Sequence, residues 1–196
     1  MDFILGFDFG ILDFIANNIR NDFLDPVMAV LSLSAEKCIL PILLGLLLLI
    51  PRKTRPAAAT ALVAIALGVI VGEGIIKNLV ARPRPYDLYY SFHNAVMPFT
   101  LNTGKTTGFS FPSTHTICAF ALATSFFKVN KKVGIVLVVL AAFVGFSRLY
   151  NYVHFPTDVI AGMLIGIAAG LLAIFIFKKF RFDDKLLRIG KGKQKS

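Results

Sequence analysis

Three short segments of this chain set cations, histidines and one carboxylate at spacings that suit phosphate chemistry. "KNLVARPRP" places Lys77 seven residues before Arg84, with Pro83 and Pro85 ending the helix that carries the lysine. "FPSTH" puts Ser113, Thr114 and His115 at the start of an apolar run, directly after Pro112. "SRLYNYVHFPTD" gives Arg148 at one helix end, then His154 at or just before a helix opened by Pro156, with Asp158 about one turn in. Helix N-termini offer unpaired N–H groups and a positive dipole end, which favour phosphate. The lysine and two arginines supply countercharge, and arginine can grip two oxygens at once. A histidine oriented by a carboxylate is an activated nucleophile, and a second histidine can act as general acid for a departing oxygen. The acids needed to complete a metal site are missing from the set. The chemistry suggested is metal-free phosphoryl transfer, with no cofactor implied.

Plainer readings stand beside each of these. His154 and Asp158 could be a structural hydrogen-bonded pair, and His115 could simply cap its helix. Lys77 could snorkel to the interface while pairing with Glu73 one turn earlier. Arg82 and Lys105 read as peripheral phosphate guides, and His93 as an ordinary loop histidine.

The elements that must carry these residues are membrane helices. The chain has 196 residues, is 56% hydrophobic and only 16% charged, and has a mean hydropathy of +0.73. Soluble domains are nearer a quarter charged. Several stretches approach the roughly 20 apolar residues needed to cross a bilayer. Five spans are predicted, over 36–51, 57–81, 113–128, 132–150 and 156–178, with a sixth through Phe23–Leu33 left open. The expected fold is thus an all-α multi-pass membrane helical bundle in a single domain, 1–180, followed by a basic tail, 181–196. Residues 1–34 are apolar but interrupted by Asp2, Asp8, Asp13, Asp22 and Asp25, and read as an amphipathic helix at the membrane surface.

Charge sets the orientation. Fourteen of the 21 Lys/Arg residues sit in three places: Arg52, Lys53 and Arg55; Lys128, Lys131 and Lys132; and the tail from Lys178 to Lys195. Each lies at the end of a hydrophobic segment, on alternate sides of successive spans, so all three should be cytoplasmic. Topology and contact of the tail with anionic lipid account for the net charge of +10, which argues against a nucleic-acid partner. Lys77, Arg82, Arg84, Lys105, Arg148 and all three histidines then collect at the outer connections. Ionisable groups near a membrane core mark function by default. The segment Ser113–Lys128 would rise roughly 24 Å as a helix, less than the ~30 Å hydrocarbon thickness. A site at its N-terminus should sit slightly below the outer surface. Tyr86, Tyr89, Tyr90, Phe92, Phe99 and Phe109, all between Arg82 and Pro112, could form an interfacial belt or a flap over the site. Cys38 and Cys118 read as small buried apolar residues, since two isolated thiols do not argue a disulfide. No sequence feature speaks to oligomeric state.

Taken together, the three segments resemble the signature of the type 2 phosphatidic acid phosphatase family of membrane lipid phosphatases. That pattern, K-x6-R-P, P-S-G-H and S-R-x5-H-x3-D, is matched in order by Lys77…Arg84-Pro85, Pro112-Ser113-Thr114-His115 and Ser147-Arg148…His154…Asp158. The resemblance covers about 77–158 and departs from the family only at Thr114, where the family has glycine. It implies that His154 attacks phosphorus and forms a phosphohistidine, that Asp158 fixes its tautomer, and that His115 protonates the leaving oxygen. Lys77, Arg84, Ser113 and Arg148 would hold the phosphate, and Thr114 would line it. Threonine keeps the backbone N–H but would resist a positive φ, which bears on loop shape or leaving-group size. The implied function is hydrolysis of a membrane lipid phosphate or diphosphate at the extracytoplasmic face, with undecaprenyl diphosphate first among substrates and phosphatidylglycerol phosphate, phosphatidic acid and diacylglycerol pyrophosphate behind it. A non-catalytic lipid-phosphate binder or transporter is the second class. The intact His/His/Asp set argues against that class, since binding needs no nucleophile.

Overall fold

A computed structural model of the chain describes residues 2–34, 38–99, 101, 103–128 and 130–188, and among these all regular structure is helical. The N-terminal region forms α1 (Asp2–Asn18) and α2 (Leu24–Ser34), followed by the short α3 (Ile39–Leu47). Helix α4 (Arg55–Val69) runs on through a π-helical stretch, Ile70–Ile76, into the single turn α5 (Lys77–Val80). Then come α6 (Pro85–His93), α7 (Thr114–Phe126), α8 (Lys131–Tyr150), α9 (Pro156–Lys179) and α10 (Phe182–Arg188). Three stretches, Arg55–His93, Lys131–Tyr150 and Pro156–Lys179, are long and apolar enough to cross a membrane, and Thr114–Phe126 and Leu24–Leu33 are shorter apolar helices. Helices α8 and α9 turn Val136, Leu140, Phe143, Leu164, Leu171 and Phe175 outward, the apolar surface that lipid would cover. Residues 36 and 37, which open the first predicted span, and Lys191, Lys193 and Lys195 of the tail lie outside the described residues.

Helix α7 is the axis of the bundle. It packs on α4, α8 and α9, and every residue from Thr116 to Phe126 is buried. A helix apolar on all sides is what a central position requires. Helix α9 approaches it closely through Gly162 and Gly166. A β-carbon at either position would stand 2.6 or 2.5 Å from the carbonyl oxygen of Ser113 or Ile117. Small residues one turn apart let membrane helices meet backbone to backbone. This contact anchors the start of α9, and with it Asp158, beside the start of α7.

The cysteine reading is corrected here. Cys38 and Cys118 are both buried, as expected, but they are joined in a disulfide that ties the start of α3 to α7. Their separation of 80 residues hid the pairing from sequence inspection. Helix α1 also differs in detail from the expected amphipathic helix. Phe3, Phe7 and Phe14 face outward, whereas Asp8 is fully buried beside Phe9 and Leu12. Of the outer aromatic residues, Tyr89, Phe92 and Phe99 pack on Phe9 and Tyr152, roofing the bundle with the connection between α5 and α7.

Candidate active site

The three motif segments meet around one cavity of about 620 Å³ at the N-terminal end of α7. Lys77, Arg84, Thr114, His115, Arg148 and His154 all line it, so six of the eight sequence-predicted residues share its wall. Leu33, Ile42 and Val69 continue the wall as an apolar face, and Thr106, Thr107 and Lys105 close it from the α6–α7 connection.

His154 sits in the tight connection between α8 and α9 and is essentially buried. Its Nδ1 stands 3.5 Å from Asp158 Oδ2, a long contact of the kind that tightens when a site fills. Its Nε2 lies 3.5 Å from Arg84 Nη1. A guanidinium can only donate, so Nε2 presents its lone pair and the ring proton belongs on Nδ1, facing Asp158. Burial, and then the cations of Arg148 and Arg84, hold the imidazole well below its ordinary proton affinity. His154 is therefore neutral, with its Nε2 lone pair directed toward Arg84 at the cavity wall.

Arg84 is fixed by the backbone. Its Nε donates to Gly108 O at 2.9 Å, Nη1 to Val153 O at 2.9 Å and Nη2 to Thr107 O at 3.1 Å. The chain reaches it through Ala81, whose φ of 47° ends α5 in the left-handed region. Arg148, near the end of α8, bonds to the Ser32 hydroxyl and carbonyl on α2. Nothing in the local sequence of α2 announces that contact.

Across the cavity, His115 has a buried Nε2 with no hydrogen-bond partner among the described residues. Lys77 donates to Glu73 Oε2 at 2.5 Å and to Thr114 Oγ1 at 3.1 Å, and Thr114 in turn donates to Glu73. The Lys77–Glu73 pair of the plainer reading is thus present, with Thr114 as its third member, while Lys77 also lines the cavity. The π-helical stretch carries Glu73, and insertions of this kind recur where a helix must re-aim side chains at a site. Thr114 is the first residue of α7 and is not among the residues with positive φ, so the strain anticipated for a threonine there is absent.

Asp158 and Ser113 stand behind the wall. Ser113 is fully buried, its hydroxyl accepts from Thr116 Oγ1 at 3.0 Å, and its N–H bonds to Asp158 O. Lys105 lines the cavity as expected, but Arg82 does not: it points to the far side of Asp158, bonding Asp158 Oδ1 at 2.8 Å and Asp8 Oδ2 at 2.6 Å. His93 serves the roof, 2.8 Å from Asp13 and stacked on Tyr89.

An undecaprenyl-diphosphatase of Sulfolobus acidocaldarius is 33% identical over 66% of this chain and 60% of its own length. A Bacillus licheniformis protein named bacitracin transport permease BcrC is 31% identical over 70% of this chain and 64% of its own, so the chain spans a little under two thirds of either relative. The crystal structure of LpxE from Aquifex aeolicus superposes with a TM-score of 0.68 at 27% identity, covering 86% of this chain and 94% of that one. A phosphatidylglycerolphosphate phosphatase of Bacillus subtilis, described as a transmembrane protein of PAP2 type, superposes at 0.69 and 27% identity over 91% and 88%. The family model of the PAP2 superfamily matches residues 57–182, which hold all three motif segments, and the chain belongs to that superfamily.

Proposed function

We propose that this protein is a membrane lipid-phosphate phosphatase working through a phosphohistidine. The observation that carries the reading is the buried His154, its Nε2 3.5 Å from Arg84 Nη1 at the wall of a cavity that Arg84, Arg148 and Lys77 make cationic. In the first step Nε2 attacks phosphorus and the bond from phosphorus to the lipid-side oxygen breaks. His115 gives a proton to that oxygen. Asp158 holds the Nδ1 proton and stabilises the positive ring. In the second step water attacks the phosphohistidine, His115 takes the water proton, and inorganic phosphate leaves. Arg84, Arg148 and Lys77 stabilise the charge on the equatorial oxygens in both steps.

Undecaprenyl diphosphate is the preferred substrate on the strength of the diphosphatase relative, with phosphatidylglycerol phosphate or phosphatidic acid next. The apolar wall formed by Leu33, Ile42 and Val69 suits a lipid tail that stays in the bilayer while its headgroup turns into the site. The basic helix ends support an extracytoplasmic site and a cytoplasmic C-terminus: α10 packs on α4, and Lys128, just past the end of α7 opposite the cavity, pairs with Asp183. The permease name of one relative supports a transporter reading, which requires no nucleophile. Phosphate release from a lipid-phosphate panel in EDTA tests the assignment. Turnover is expected with the chelator present and lost in His154→Ala; turnover that survives His154→Ala removes the mechanism, and loss on chelation removes its metal independence.

A further inference from the structure

Asp8 is a carboxylate on an apolar helix, flanked by two phenylalanines and fully buried, outside the region that matches the family. Burying a charge is costly unless it is paired and hydrogen-bonded, and Asp8 is both. Its Oδ2 accepts from Arg82 Nη2 at 2.6 Å and from Thr157 Oγ1 at 2.7 Å, and its Oδ1 from Thr157 N at 3.0 Å. Arg82 uses its other terminal nitrogen on Asp158 Oδ1 at 2.8 Å, with its guanidinium 3.9 Å from the centroid of the Phe155 ring. Asp158 Oδ2 accepts from Phe155 N at 2.8 Å and faces His154 Nδ1. One continuous line of contacts therefore runs from α1 to the imidazole.

We propose that Asp8 and Arg82 are positioning residues that act on His154 through Asp158, so that the N-terminal helix completes the active site; this rests on reading His154 as the nucleophile. Geometry is the first part of the role. With Oδ1 held by Arg82 and Oδ2 by Phe155 N, the Asp158 carboxylate is locked in the rotation that presents Oδ2 to the ring. Partners one step behind a reacting group fix its orientation and tautomer in this way. Charge is the second part. Arg82 on its own would neutralise the carboxylate that must stabilise the ring as the N–P bond forms. Asp8 meets Arg82 from the other side, so two carboxylates share one guanidinium and the group keeps a net negative charge behind His154. That charge is already in place when the imidazole turns positive.

The test uses the full chain in lipid nanodiscs, with the lipid phosphate that the unaltered protein turns over fastest and inorganic phosphate as competitive inhibitor. Asp8→Asn and Arg82→Gln should each lower kcat by roughly 10–100-fold, the range typical of such supporting partners. KM and phosphate inhibition should stay within about twofold, because neither residue touches the cavity. Because the two act on one group, the double variant should be no slower than the slower single one. An unchanged kcat overturns the proposal. So does loss of phosphate inhibition together with kcat, which would mark a folding role, or a double variant that falls by the product of the singles. His154→Ala run in parallel keeps the two levels apart, since its survival would overturn the nucleophile rather than the relay.

Discussion

The two sides of the cavity are built on different terms. On the His154 side the groups around the ring are held from behind: Arg84 by three backbone carbonyls, Asp158 by Arg82 and Phe155 N, and Arg82 by Asp8 on α1, while the ring's own Nδ1 makes only the 3.5 Å contact with Asp158. On the His115 side the imidazole Nε2 has no protein partner among the described residues, and Lys77 is tied to Glu73 and Thr114 rather than to backbone. A nucleophile must be aimed before the substrate arrives, which rewards a rigid setting. A leaving-group acid needs its partner from the substrate, so its hydrogen-bonding capacity is left open. The cavity reads as one preorganised wall facing one that the substrate completes.

The largest effect should separate the two histidines by chemistry. On a lipid substrate His154→Ala should abolish phosphate release, and His115→Ala should lower kcat by roughly 10²–10⁴-fold, the usual contribution of a general acid. On para-nitrophenyl phosphate, whose phenolate leaves without a proton, His115→Ala should keep most of the unaltered rate in the first-turnover burst of nitrophenolate, with slow hydrolysis of the phosphohistidine afterwards, while His154→Ala shows no burst. Equal loss for both variants on both substrates would show that His115 also belongs to the rigid wall.

Arg84 gives a smaller effect with a defined sign in pH. Protonated His154 cannot attack, so activity falls as pH drops through its proton affinity in the folded site. Burial and the neighbouring cations place that affinity below the ordinary value of 6.5, so the acid limb of kcat/KM, where His154 takes up its proton, should lie below pH 6.5. The other charged or titratable groups around the ring are Asp158 on α9, Arg148 on α8, His115 on α7 and Lys77 on α5, with Glu73, Lys105, Arg82 and Asp8 beyond them. Arg84→Gln removes one cation from this set and should move the acid limb upward. Losing charge-assisted contacts of about 1.5–3 kcal/mol, it should also lower kcat/KM by roughly 10–100-fold. An acid limb that stays put would mean Arg84 acts on the phosphate alone.

The open wall was more legible in the sequence than the closed one. Lys77, Glu73, Thr114 and His115 come from helix starts and i,i+4 spacing, both of which are local signals. His154 and Asp158 were legible in the same way, four residues apart at the start of α9. What holds them was not. The Asp8 contact with Thr157 crosses 149 residues and the Arg148 contact with Ser32 crosses 116, and no periodicity encodes a pairing at that range. Arg82 was misread for a related reason: it lies two residues from Arg84, and only the left-handed turn at Ala81 and the surrounding fold decide which faces the cavity. One local signal does mark the closed wall. Asp8 falls one and two turns before Leu12 and Ile15, on the apolar face of α1, where a carboxylate is out of place unless it has a buried cation to meet.

The smallest effect should come from Thr114, the one departure from the family pattern. Its hydroxyl donates to Glu73 and accepts from Lys77 Nζ at 3.1 Å, yet Lys77 and Glu73 also meet directly at 2.5 Å. Removing the hydroxyl therefore leaves the pair standing. Losing one ordinary hydrogen bond is worth about 1 kcal/mol, so Thr114→Gly should change kcat by no more than roughly fivefold. Thr114→Ser should match the unaltered protein, because it keeps the bridge and drops only the methyl group. Glycine also opens space beside His115, so any gain in rate should favour bulkier leaving groups. A collapse of activity in Thr114→Gly with full activity in Thr114→Ser would show that the hydroxyl alone sets the reach of Lys77. The open wall would then be as tightly prearranged as the one that carries His154.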